Sequence, residues 1–89
     1  LAQEISLNEL ANALGISRYY FCRLFKQSTG LSPYQYVIQQ RVERAKELLL
    51  QGKLSLSDIA IACGFTHQSH LNRHFKRLTG VTPKTLLNL

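Results

Sequence analysis

Apolar residues recur at helical spacing in a succession of short runs along this chain. Leu7, Leu10, Ala11 and Leu14 share one face of a first predicted helix. Phe21, Leu24, Phe25 and Ser28 share one face of a second, whose opposite face carries Tyr19, Cys22, Arg23 and Lys26. From Pro33 to about Gln51 the chain runs unbroken by glycine, with Tyr34, Val37, Ile38, Val42, Ala45, Leu48 and Leu49 as its apolar stripe. Leu56, Ile59, Ala60 and Cys63 form the apolar face of a fourth helix. Leu71, Phe75 and Leu78 form that of a fifth, with Ser69, Asn72, Arg73 and Lys76 facing away and Gln68 between the faces. Pro83 opens a short last helix over 84–87, and residues 1–4 read as the tail of a preceding one.

The punctuation between these runs is equally regular. Ser6 stands three residues before Glu9 and Ser55 three before Asp58, the spacing of a capping box. Gly15 and Gly64 follow the first and fourth runs, where a residue of positive φ ends a helix and turns the chain. Ile16 and Phe65 then anchor the turns, and Ser17 and Thr66 are expected to cap the helices that follow. Gly30 and Gly80 close those helices.

The two halves are copies of one unit. Leu7, Ala11 and Gly15 meet Leu56, Ala60 and Gly64 at an offset of 49, whereas the stretch Phe21–Pro33 meets Leu71–Pro83 at an offset of 50. The second copy therefore has one extra residue just before or early in its second helix. Amphipathic helices share leucines by chance, but not Arg-x-Phe-Lys-x-x-Thr-Gly-x-Ser/Thr-Pro twice. A short alanine-containing helix, a glycine turn and a capped second helix with a polar, basic outer face is the helix-turn-helix pattern. Ala11 and Ala60 fit it sterically, because a larger side chain would push the crossing helices apart. The expected fold is all-α: two helix-turn-helix subdomains, homeodomain-like bundles, joined by a long linker helix. The first unit is assigned to residues 1–33, the linker to 34–51 and the second unit to 52–89. A linker helix of that length spans roughly 27 Å at about 1.5 Å per residue.

Charge points to the partner. The chain of 89 residues has 11 Lys and Arg against 5 Asp and Glu, a net charge of +6. The cations Arg18, Arg23 and Lys26 fall in one segment free of acids, and Arg73, Lys76, Arg77 and Lys84 in another. Glu4, Glu9, Glu43, Glu47 and Asp58 all lie elsewhere. Cationic segments of this kind form an electrostatic footprint for nucleic acid. In the linker, Arg44 and Glu47 are spaced for local pairing.

The stretch Ile59-Ala60, Gly64-Phe65, Arg73-His74-Phe75-Lys76 and Gly80-Val81-Thr82-Pro83 resembles the C-terminal signature of the AraC/XylS (arabinose-operon regulator) family of bacterial transcription factors. Arg41-Val42-Glu43-Arg44-Ala45 with Leu48-Leu49 resembles its linker helix, and Gly30-Leu31-Ser32-Pro33 the junction before it. The resemblance covers essentially the whole chain, residues 1–89 making one DNA-binding domain of this type. It implies two recognition helices in successive major-groove segments of promoter or operator DNA, commonly in an activator that works with RNA polymerase. It also implies a separate N-terminal sensing or dimerisation domain and a cytoplasmic location. Groove-facing places fall on Tyr19, Cys22 and Arg23 in the first recognition helix, matched to 17–29. In the second, matched to 66–79, they fall on Gln68, Ser69, Asn72 and Arg73. Leu71 and Leu86 stand where an aromatic is usual, and Cys22 where a longer polar residue is.

Arg23 and Arg73 occupy the same repeat station and suit guanine O6 and N7, or phosphate; Asn72 and Gln68 suit adenine. Tyr19 suits a thymine methyl or a phosphate. Arg18, Lys26, Lys76, Arg77 and Lys84 are expected at phosphates, and the helix starts at Ser17 and Thr66 offer backbone N–H groups to them. His67, His70 and His74 share one flank of a helix. They have no acidic or cysteine partner at short range for a metal site, although protonation would add charge beside the DNA. Cys63 reads as a core residue. No cofactor or metal is expected. Paired carboxylates, a phosphate-cradling glycine loop and triad logic are missing from the sequence, so no enzyme is expected either. The competing reading is a helical protein-interaction or adaptor module; the sheets and GXXG loops of common RNA-binding modules are not visible.

Overall fold

The structure, a computed structural model, describes residues 6–88, so the helix tail read at residues 1–4 lies outside the described residues. Six helices follow one another: α1 (Leu7–Leu14), α2 (Arg18–Thr29), α3 (Pro33–Gln51), α4 (Leu56–Ala62), α5 (Gln68–Thr79) and α6 (Pro83–Leu87). The chain divides into two compact units, and the division falls inside α3, between Val37 and Ile38. Most of the linker helix thus belongs to the second unit. Ile38, Val42, Ala45 and Leu49, one stripe of α3, are buried with Ile59, Ala60, Cys63, Phe65, Leu71 and Phe75 in a single core. Tyr34 and Val37, expected on that stripe, are instead exposed, because they precede the part of α3 that packs into this core.

Local chemistry sets each turn, and the two units share it almost atom for atom. In the first, α1 begins with a full capping box between Ser6 and Glu9. Hydrogen bonding to the Ser6 backbone and side chain holds the Glu9 carboxyl below its ordinary range. The helix ends at Gly15 (φ 72°), after which the Ile16 N–H donates to the Ala11 carbonyl at 3.0 Å. In the second, Ser55 caps α4, Gly64 turns the chain at φ 88°, and the Phe65 N–H donates to the Ala60 carbonyl at 2.9 Å. Burial of Ala11 and Ala60, at 2% and 0% exposure, shows why small residues stand there. Cys63, at the end of α4, lies in the core, where burial pushes its thiol up from the ordinary range.

The repeated Thr-Gly-x-Ser/Thr-Pro stretch also acquires a physical cause. The Thr29 hydroxyl lies 2.8 Å from the Phe25 carbonyl and accepts the Leu31 N–H at 3.1 Å. Thr79 does the same with Phe75 at 2.8 Å and Val81 at 3.3 Å. Gly30 and Gly80 then adopt positive φ, and Ser32 and Thr82 cap the next helix with proline at its first position. At the end of the chain Leu86 packs against the core, while Leu87 is exposed.

One junction departs from the expected pattern. The N-cap of α5 is His67, not Thr66: the His67 Nδ1 accepts the His70 N–H at 3.2 Å. Thr66 is the extra residue of the second copy, accommodated in the turn, so that His67 takes the station of Ser17. Opposite that turn, Arg41 of α3 donates from its guanidinium to the Gly64 carbonyl at 3.0 Å. A Cβ on Gly64 would meet this guanidinium at 3.0 Å.

Replacing Ala60 by leucine places a branched side chain in a fully packed helix crossing. The expected loss is about 1–3 kcal/mol of stability, measured by urea denaturation; a change within about 0.5 kcal/mol, typical of unconstrained surface positions, would show that the crossing is not tight.

Candidate nucleic-acid interface

The outer face of α2 gathers four of the residues expected at the interface. Tyr19, Cys22, Arg23 and Lys26 line one shallow depression, together with Gln27 and Ser32. Tyr19 is 72% exposed, and Arg23 and Lys26 are also exposed, whereas Cys22 is half-buried. Ser17 caps the helix, its hydroxyl accepting the Tyr20 N–H at 3.1 Å. Arg18 is exposed but lies outside the depression.

On α5 a second depression is lined by Thr66, Ser69 and Arg73 with His67 and His70. The two histidines were not among the expected site residues. Their signal lay in the repeat, because the one-residue shift in offset sets His67 opposite Ser17, a capping station. The Ser69 Oγ lies 2.7 Å from the His67 Nδ1, which tethers Ser69 to the helix start. Gln68 is half-buried and its Oε1 accepts from the Ser57 hydroxyl at 3.1 Å, so α4 orients it. Asn72 departs from the outward place assigned to it. It is half-buried, and its Oδ1 is covered without a hydrogen-bond partner among the described residues.

Electrostatically the two faces are uncompensated. Among the described residues the ion pairs shown are those of the linker helix, Arg44 with Glu47 and Lys46 with Glu43, both at 3.2 Å. The first is the local pairing expected from sequence. Helices α2 and α5 contain no acid; Arg18, Arg23 and Lys26 project from one, Arg73, Lys76 and Arg77 from the other. Lys84 is exposed in α6.

His74 behaves unlike the cation-gaining flank expected of the three histidines. It is 8% exposed, and its ring lies 4.8 Å from that of His70 and 6.1 Å from that of Phe65. The Arg77 guanidinium approaches its Nδ1 at 2.8 Å. A guanidinium can only donate, so Nδ1 accepts and the neutral ring carries its proton on Nε2. Burial above all, then the charges of Arg77, His70 and Arg73, holds the His74 pKa below the ordinary histidine value. Among the described residues no three His, Cys, Asp or Glu side chains are grouped to hold a metal ion, and no helix is long and apolar enough to cross a membrane.

Comparison with known proteins agrees with this geometry. A family described as a helix-turn-helix domain matches residues 10–88. An AraC-type transcriptional regulator from Chromobacterium violaceum superposes with a TM-score of 0.80 at 34% identity, over 91% of this chain and 72% of that one. The chain belongs to the AraC-type helix-turn-helix family. A second solved match is the DNA-binding domain of AdpA, a global transcriptional factor, in complex with a target DNA. It superposes with a TM-score of 0.81 at 34% identity, over 94% of this chain and 76% of that one. Among curated relatives, the probable transcriptional regulator LumQ of Photobacterium leiognathi is 37% identical over 83 residues, 93% of this chain and 34% of LumQ. The chain thus spans about a third of the length of that relative, and the AraC-type resemblance read from the sequence holds across both units.

The depressed His74 pKa has a consequence for stability. Between the folded and unfolded pKa the unfolded chain binds more protons, so stability is fully present above about pH 6.5 and falls as pH drops through that window. Thermal melts at pH 7.5 and 5.5 should show a larger acid-induced drop in Tm for the native chain than for His74→Leu; equal drops would assign the acid sensitivity to other groups.

Proposed function

We propose that this AraC-type domain reads double-stranded promoter or operator DNA sequence-specifically, with α2 and α5 each entering one of two successive major-groove segments. The observation that carries the reading is the pairing of Arg23 and Arg73. They sit at the same station of two copies of one motif, each exposed on an acid-free helix face beside further cations. A guanidinium so placed reaches guanine O6 and N7 bidentately. Tyr19 and Cys22 flank Arg23 as base contacts, and Gln68 and Ser69 flank Arg73. Asn72, half-buried beside them, is a further base contact, suited to adenine. Ser17, Arg18, Lys26, Lys76, Arg77 and Lys84 hold phosphates and set the register; Thr66, whose N–H is donated to the His70 Nδ1 and not offered at a helix start, joins them through its exposed hydroxyl.

The domain works within a longer bacterial regulator, an activator acting with RNA polymerase, in the cytoplasm. An N-terminal domain supplies sensing or dimerisation, and the DNA-reading part performs no catalysis. The AdpA domain solved on its target DNA supports the mode of binding proposed for this chain.

Selection of bound duplexes from a random library, followed by footprinting, tests this. Protection should cover roughly 20 bp, two turns of duplex, on one face, and the site should lack two-fold symmetry. Arg23→Ala and Arg73→Ala should each relax discrimination at a separate position by about 1–3 kcal/mol. Lys26→Ala should weaken all sequences alike and lower the salt slope by about 0.9. Salt-insensitive binding without sequence preference would instead point to a protein-interaction adaptor.

A further inference from the structure

The repeat provides an internal control for the pair His74 and Arg77. At an offset of 50, the same two stations in the first unit hold Leu24 and Gln27. Only the second unit therefore places an imidazole acceptor three residues before an arginine. The contact is also one that an apolar residue would avoid. His74 is buried, and its Nε2 has no hydrogen-bond partner among the described residues. Leaving a buried N–H unsatisfied opposes folding. A leucine at this station, as in the first unit, would carry no such penalty.

What the imidazole does provide is direction. Arg77 is an exposed side chain in the last turn of α5, with many rotamers open to it, and it stands next to Arg73 on the helical wheel. The bond from its guanidinium to the His74 Nδ1, at 2.8 Å, selects among those rotamers and uses one of its five N–H donors. The other donors stay available for a planar, bidentate phosphate contact. The ring itself is buried and lies against those of His70 and Phe65, which restricts the positions open to the acceptor.

We propose that His74 is a positioning residue that holds Arg77 as a preorganised phosphate clamp, which makes the second unit the stronger backbone anchor of the two. This rests on the DNA-binding reading of the domain. His74 touches no DNA; it acts through Arg77, and the effect belongs to affinity for every sequence rather than to choice among sequences.

The test is a double-mutant cycle on a duplex obtained by selection, with native chain, His74→Leu, Arg77→Ala and the double variant, each titrated at several salt concentrations. His74→Leu should fold at least as stably as the native chain in urea, yet bind about three- to tenfold more weakly, with a salt slope reduced by up to about 0.9. Base discrimination should be unchanged, and adding Arg77→Ala should cost little more. His74→Gln, which keeps an acceptor within reach of Arg77, should recover most of the affinity. Additive losses in the cycle, an unaltered affinity in His74→Leu, or an unaltered affinity in Arg77→Ala would each overturn the proposal. These outcomes are separate from failure of the DNA-binding reading, which would appear as no salt-dependent duplex binding by the native chain itself.

Discussion

The second unit depends on one apolar stripe. Ile38, Val42, Ala45 and Leu49 stand on successive turns of α3, and against them close Ile59 and Ala60 of α4, Phe65 of the turn, and Leu71 and Phe75 of α5. Leu71 and Phe75 are fully excluded from solvent. Burying side chains of this size contributes about 1.5–3 kcal/mol each, against the fraction of a kilocalorie by which like charges on an exposed helix face repel. That difference is what lets α5 carry Arg73, Lys76 and Arg77 without an acid among them. Arg41 adds a polar tie from α3 to the Gly64 carbonyl, at the turn that sets the angle between α4 and α5. A cationic outer face is thus sustained by packing on the opposite side of the same helix.

The first unit obtains the same motif by other means. Ala11 is buried as its counterpart Ala60 is, but α2 has no fully buried residue, and Phe21 and Phe25 are only half-buried. Their rings pair with each other at 5.9 Å, and Phe25 meets Tyr36 edge-on at 5.7 Å. Local hydrogen bonding carries much of the definition: the Ser6–Glu9 capping box, the Ser17 cap, the Thr29 hydroxyl and the reciprocal Ser32–Gln35 bonds. Caps contribute about 1 kcal/mol each, so they fix where helices begin and end more than how firmly they hold together. Both units have the same shape of turn and corresponding caps, and the second adds to them a buried core.

This contrast explains which features were legible in the sequence. Helix ends follow from short-range chemistry, and Gly15, Gly30, Ser6, Ser55 and Pro83 all stand where their conformational preferences place them. The Ile38–Leu49 stripe was legible because its period matches a helix and its partners are equally periodic. Other details depend on neighbours that periodicity does not reveal. Tyr34, Val37 and Leu78 fit an apolar face on a helical wheel yet are exposed, since a wheel shows direction but not whether anything covers it. Asn72 reads as outward by phase alone, but its Oδ1 is covered. The cap at His67 was masked because Thr is the commoner capping residue; only the inserted residue in the turn moves the station by one. His74 reads as one of three alike histidines until burial and the Arg77 guanidinium set it apart.

Divergence between the two copies is concentrated on their outer faces. Among inward stations Phe21 is matched by Leu71 and Phe25 by Phe75, and the turn residues Thr29 and Thr79 agree, whereas Leu24 is answered by His74. Outward stations differ: Arg18 against Gln68, Tyr19 against Ser69, Cys22 against Asn72 and Gln27 against Arg77, with Arg23 and Arg73 alone preserved among the groove-facing pairs. Had the motif been kept twice for stability alone, outer faces would be free to vary in any direction, including toward acids. They vary in size and hydrogen-bonding type while remaining free of negative charge. A duplex partner, as proposed, fits that combination, because phosphates favour cations along the face while each base step asks for a different donor or acceptor pattern. On the reading proposed above, two faces that share an arginine and a lysine but differ at their other outward stations would not be satisfied by the same half-site twice, so a single chain would carry a direction along the DNA without a second copy to define it.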